Sequence, residues 1–265
     1  MALLPALQPA ATLWPRIVVS VTCTVMAIKL IDLHAGAAWW RGRRISDWLG
    51  FLVFPYILVP RAGFGRSKVA RGPGKLLRAV LQIAAGVALL WLCFRIDWRP
   101  LPFLLEHTAK LGAIYLCAFD GKFMAAEAAI LLCGYSVLPL TDEPIAARTP
   151  ADFWRRYNCE VSRFLREDFF KPVGGLRRPV RGILAAFAFS ATLHEYLSWL
   201  VTGRVYGYQL AYFALQGVAV AVTYRWRPQG AARSFAWFGT LAFEWATAIL
   251  FFANVNRFWE WYAAR

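Results

Sequence analysis

Six stretches of this chain stay apolar for a length that reaches or approaches a bilayer-crossing helix: roughly 13–34, 76–94, 101–119, 182–201, 206–224 and 234–254. A hydrocarbon core holds no water to bind backbone N–H and C=O groups, so such segments fold as helices that satisfy those groups internally. The expected fold is therefore all-α, a polytopic helical membrane protein read as a single integral-membrane domain over residues 1–265. Two shorter apolar stretches, 47–60 (with two prolines and a glycine) and 123–139, read as re-entrant or interfacial helices. The total is about six to eight membrane helices.

Composition agrees, since 59% apolar residues is too many for an ordinary soluble domain of this size. The opening residues lack a charged start ahead of the apolar run and a small-residue cleavage site, which argues against a cleaved signal peptide. Five cysteines are scattered through apolar runs with no Cys-x-x-Cys pair, so neither a disulfide frame nor a zinc site is expected. No metal-ligand cluster is visible, and no tightly bound cofactor is implied.

The net charge of +15 raises the question of nucleic acid. Its placement answers it, because the cations flank apolar runs and form no soluble basic module. Three Lys and Arg fall in 41–44, six in 61–78, nine in 148–181 and three in 225–233, together 21 of 30. The opposite ends and loops carry six. The positive-inside rule puts the four rich loops in the cytoplasm, beside anionic membrane lipids, with no nucleic-acid partner. Both ends of 47–60, and both ends of 123–139, then fall on the inner side. The expected location is a bacterial inner membrane or an equivalent one.

Ahead of the fourth long span lies "RTPADFWRRYNCEVSRFLREDFFKPVGG" (148–175). Thr149 is a candidate N-cap, Pro150 a first helical residue and Asp152 a first-turn acid. Phe153, Trp154, Tyr157, Val161, Phe164 and Leu165 recur at helical steps, while Arg155, Arg156, Arg163 and Arg166 take much of the other surface. That pattern predicts an amphipathic helix in the cytoplasmic interface, ended by Lys171-Pro172 and Gly174-Gly175. Helical spacing puts Asn158 on the side of Trp154, Val161 and Leu165, where its amide either bonds a neighbouring backbone group or serves a site.

The span 182–201 contains His194 and Glu195. Ser190, His194 and Ser198 are spaced by four and form a narrow polar stripe, widened by Ala191. Ionisable groups facing lipid are costly, so the stripe should face the bundle interior or a tunnel. Counted from Arg181, His194 lies roughly 20 Å into the helix at 1.5 Å per residue. A packing role, a haem ligand (with His107 as a second ligand) and half of a zinc site compete at this point. "HEYLS" lacks the second histidine of a His-Glu-x-x-His zinc motif. Glu195 projects about 100° from its neighbour, toward another helix, with Lys110 or a backbone group as its expected partner.

Together, "DFWRRYN" (152–158) and "FSATLHEYLSW" (189–199) resemble the membrane-bound O-acyltransferase family, most closely its wax-synthase-like branch. That branch carries a Phe-Trp, arginine-rich, Trp-Asn motif on an interfacial helix, then a serine-rich approach to a His-Glu pair. The likeness is specific over 144–200, where Pro144 and the glycines 174–175 also fit. Tyr157 departs from it by standing where the family usually has tryptophan. The resemblance implies acyl transfer from acyl-coenzyme A, as co-substrate, to a hydroxyl, here that of a lipophilic long-chain alcohol. It implies catalytic roles for His194 and Asn158. Trp154, Tyr157, Arg155, Arg156, Ser190 and Ser198 are the candidate substrate-binding residues.

The chemistry is consistent with that. One neutral histidine can take the alcohol's proton, a step contributing typically about 10²–10⁴-fold. A buried amide can donate to a developing oxyanion or orient the base. Arg155, Arg156, Arg163, Arg166 and Lys171 could attract donor phosphates. The competing readings are other hydroxyl acceptors (a sterol, glyceride, sugar or secondary metabolite), a proton-linked transporter, and a non-catalytic lipid-binding protein.

Overall fold

The computed structural model describes residues 13–35, 41–54, 58, 65–66, 72–136 and 138–264. Expectations about the first twelve residues, the prolines of 47–60 and residues 67–71 of the following loop fall outside them. The regular structure of the described residues is helical apart from one antiparallel two-residue pair, β1 (Gly65–Arg66) with β2 (Tyr135–Ser136). The helices are α1 (Leu13–Ala35), α2 (Ile45–Val53), α3 (Gly72–Cys93), α4 (Phe103–Ile114), α5 (Lys122–Leu132), α6 (Pro150–Arg156), α7 (Cys159–Leu165), α8 (Pro179–Thr202), α9 (Tyr208–Thr223) and α10 (Ala232–Val255). Among the described residues three segments, Trp14–His34 in α1, Gly72–Cys93 and Ala232–Val255, are long and apolar enough to cross a membrane. They carry large apolar side chains on their outsides, among them Val18, Leu77 and Phe235. Such faces suit lipid rather than water.

The chain forms two compact units, residues 1–64 with 160–222 and residues 65–159 with 223–265. In the first unit Ile28, Leu58 and Phe164 form a core with Val25, Val161, Leu165, Phe169, Phe189 and Leu193 around it. Lys29, fully buried on α1, donates to the carbonyls of Phe51 and, at 2.8 Å, Phe54. It thereby satisfies orphan acceptors at the C-terminal end of α2, where a cation also meets the negative end of the helix dipole. Glu160 accepts from Leu58 N at 3.1 Å. α8 and α9 approach closely at Gly217, where a Cβ would stand 2.8 Å from Phe187 Cβ.

In the second unit the structure corrects the division of 101–119 from 123–139. α4 runs through a π-helical turn (Tyr115–Gly121) straight into α5, with no break. Asp120 and Lys122 interrupt the hydropathy there but not the helix, because Asp120 accepts from Gln82 Nε2 of α3 at 2.7 Å. α3 can press against the π turn because Gly86 has no side chain; a Cβ would lie 2.6 Å from Cys117 N. The core joins Ala248 and Phe252 to Trp261 and Tyr262 of the C-terminal segment. A buried pair holds that segment: Glu106 accepts from Lys110 at 2.7 Å and from Ala263 N at 2.8 Å. Lys110 also donates to the Trp261 carbonyl.

Candidate active site

The site residues read from the sequence fall in both units and are described unit by unit. His194, Ser190 and Ser198 lie on α8 in the first. α8 starts at Pro179, whose fixed φ suits a first helical position, and ends at Gly203 with φ +72°. Ser190, Ala191 and Ser198 are buried and His194 half-buried, so the polar stripe lies on the protein side of the helix. His194 Nδ1 is 2.8 Å from the Ser190 carbonyl. A carbonyl only accepts, so Nδ1 carries the hydrogen, and in the neutral ring the lone pair sits on Nε2. The ring packs on Phe213 of α9, with centroids 4.4 Å apart. An oriented imidazole whose second nitrogen is basic is suited to taking a proton from a hydroxyl.

Glu195 is buried and meets backbone, one of the two partners considered from the sequence. Its Oε1 accepts from Tyr206 N and Gly207 N at 2.8 and 2.7 Å. Its Oε2 accepts from Gln209 N and Leu210 N at 3.1 and 3.4 Å. The carboxylate thus satisfies the orphan N–H groups where α9 begins. Lys110 is occupied elsewhere, by Glu106.

The second unit holds Trp154, Arg155, Arg156, Tyr157 and Asn158. Thr149 caps α6 as expected, accepting from Asp152 N at 3.1 Å, while Asp152 accepts from Arg148 N at 3.3 Å. The two bonds resemble a capping box, except that Asp152 reaches one residue past the cap to the N–H of Arg148 rather than to that of Thr149. The expected single amphipathic helix is interrupted, however. Tyr157 is extended and Asn158 left-handed, at φ +45°, before α7 begins at Cys159. Asparagine tolerates that region better than most residues, so the chain breaks where the sequence allows it. Periodicity therefore does not set the direction of the Asn158 side chain.

Tyr157 stacks on Phe153 (5.7 Å) and meets Trp154 (5.8 Å), Phe119 (5.9 Å) and Phe123 (6.1 Å) edge-on. Arg155 pairs with Asp152. Arg156 pairs with Asp152 at 3.0 Å and donates to the Asp142 carbonyl at 3.0 Å. Burial opposes the ionisation of Asp152, but bonds from Arg155, Arg156 and Arg148 N outweigh it and hold the carboxyl below the usual range. Cys159 Sγ donates to the carbonyls of Arg155 and Arg156.

The model of the membrane-bound O-acyltransferase family matches residues 112–252, just over half of the chain and both motif segments. The chain belongs to this family. Members of the membrane-bound O-acyltransferase family are O-acyltransferases, and three apolar helices accord with an integral membrane protein. A search of curated proteins finds no match.

For this O-acyltransferase, His107 does not suit haem ligation. Its Nε2 donates to the Trp245 carbonyl at 2.9 Å, and its Nδ1 is 2.7 Å from the Tyr262 hydroxyl, so both nitrogens have protein partners. Among the described residues no group of three or more His, Cys, Asp or Glu is placed to hold a metal. Sequence reasoning overlooked Phe213. Its neighbourhood to His194 depends on how α9 packs, and nothing in its local sequence signals that.

Proposed function

We propose that the chain transfers a fatty acyl group from acyl-coenzyme A to the hydroxyl of a long-chain alcohol, as in the wax-synthase-like branch. The observation that carries the reading is His194: deep in α8, its Nδ1 committed to the Ser190 carbonyl and its Nε2 left basic. Nε2 takes the alcohol proton as the oxygen attacks the thioester carbonyl carbon. The oxyanion then collapses, the C–S bond breaks, and the leaving thiolate receives the proton back from the imidazolium. Asn158 supports the step by donating to the oxyanion or by orienting His194. No covalent acyl-enzyme is needed.

Trp154 and Tyr157 supply an aromatic wall for acyl or alcohol chain, and Ser190 and Ser198 a polar lining around the base. Arg155, more exposed than Arg156, would meet the donor phosphates from the cytoplasmic side. We also propose that the four cation-rich loops face the cytoplasm, with α6 and α7 in that interface, in a single domain of six to eight membrane helices. Joining α4 to α5 leaves this sidedness unchanged, because the second stretch was expected to begin and end on the same side.

The test supplies membranes containing the parent or His194→Ala with labelled palmitoyl-coenzyme A and a panel of alcohols, sterols and glycerides. Ester formed by the parent and lost in the variant, at equal membrane level, supports the reading, and the acceptor that turns over fixes the branch. Equal turnover in both removes His194 from the mechanism. Absence of ester with every acceptor favours transport or lipid binding instead.

A further inference from the structure

We propose that Glu195 is a positioning residue for His194, acting through the start of α9; the role presupposes the acyltransferase reading above. Glu195 is adjacent to His194 in sequence but faces elsewhere, and it is 5% exposed. Its two oxygens collect four backbone N–H groups, from Tyr206, Gly207, Gln209 and Leu210. These donors belong to the turn after α8 and the first turn of α9, so the carboxylate fixes where α9 starts relative to α8. Phe213 lies one turn farther along, and its ring is the surface on which the imidazole rests, 4.4 Å between centroids. One more turn on, Gly217 lets α9 close against Phe187.

α9 is thus held against α8 on both sides of Phe213. The imidazole is fixed by its own helix through the Ser190 carbonyl and by α9 through Phe213. Displacing the first turn of α9 moves the second constraint and lets the ring turn away from the geometry that points Nε2 at the reacting hydroxyl. An acceptor-only group is required, since four donors converge. In Glu195→Gln the amide nitrogen would face two N–H groups, a repulsive contact at the point that sets the helix.

The experiment uses the full chain in detergent micelles, with Glu195→Gln, Phe213→Leu and the double variant, each checked for cooperative thermal unfolding. Two readouts are taken. The first is the rate at which diethyl pyrocarbonate modifies His194, resolved from the other histidines by peptide mass spectrometry. The second is the kcat and KM of acyl transfer. Loosening the ring should raise the modification rate about threefold in either single variant. Misplacing the base should lower kcat about tenfold at an unchanged KM for the acyl donor.

The double variant should be no worse than the worse single one, because both substitutions act on one linkage. A folded Glu195→Gln protein with the parental modification rate overturns the proposal, as do effects that simply add. Should Glu195→Gln not fold, Glu195→Asp, which keeps the charge at shorter reach, takes its place in the same comparison. If the parent transfers no acyl group, the transferase reading fails, yet the modification rates still decide whether Glu195 positions His194.

Discussion

Asn158 separates backbone conformation from side-chain chemistry, which makes it the most informative single position. At φ +45° an ordinary L-residue is strained, whereas glycine, asparagine and aspartate adopt the conformation with little penalty. Asn158→Ala should therefore be about 1 kcal/mol less stable than Asn158→Gly, because both lack the amide and only glycine accepts the left-handed backbone without strain. If the amide serves the reaction as a donor, Asn158→Gly loses about 10²-fold in kcat while still folded, and Asn158→Asp loses as much. Unfolding midpoints and turnover measured on the three variants check this, and parental turnover in Asn158→Gly would exclude the amide. The identity of the residue was legible in the motif. Its orientation was not, because the three- and four-residue spacing assumed a helix that Tyr157 and Asn158 interrupt. His194 shows the converse: α8 is continuous, so the stripe of Ser190, His194 and Ser198 read from the sequence is the stripe the fold buries.

Capping explains which elements were readable. Thr149, Pro150 and Asp152 are local signals, and α6 begins where they stand, with the predicted Thr149 bond in place. The join of α4 to α5 was missed because hydropathy drops at Asp120 and Lys122, a composition change that Gln82 of another helix compensates. Asp152 gives α6 a pH dependence. Its carboxyl titrates below the ordinary carboxylate value of about 3.9, so its contribution to stability is complete above that pH and is lost as pH falls through the lower folded-state pKa. Asp152→Asn should lower the unfolding midpoint at pH 7, and the gap to the parent should narrow as the pH drops below about 4. Thermal unfolding followed across that range tests it; a gap that stays constant with pH would assign the loss to packing rather than to charge.

At the scale of the whole chain the open quantity is the path through the membrane, and α9 is its critical step. Sixteen residues span about 24 Å, short of a hydrocarbon core of about 30 Å, whereas the 24 residues of α8 exceed that length. The proposed sidedness nonetheless has α9 cross, because the loops 148–181 and 225–233, with twelve Lys and Arg, would then share one side while Arg204 is alone in the turn between α8 and α9. Flanking residues can snorkel and the bilayer can thin to accommodate a short helix, so the charge should prevail. With the five native cysteines replaced, single cysteines at Leu176 (89% exposed), Val205 (65% exposed) and Trp226 (47% exposed) report the path through labelling by a membrane-impermeant maleimide. Leu176→Cys and Trp226→Cys should react from the cytoplasmic face and Val205→Cys from the other. Trp226→Cys reacting with Val205→Cys, opposite to Leu176→Cys, would leave α9 uncrossed on the far side. The proposed cytoplasmic placement of 225–233 would then fail, while the description of α8 and its histidine would stand.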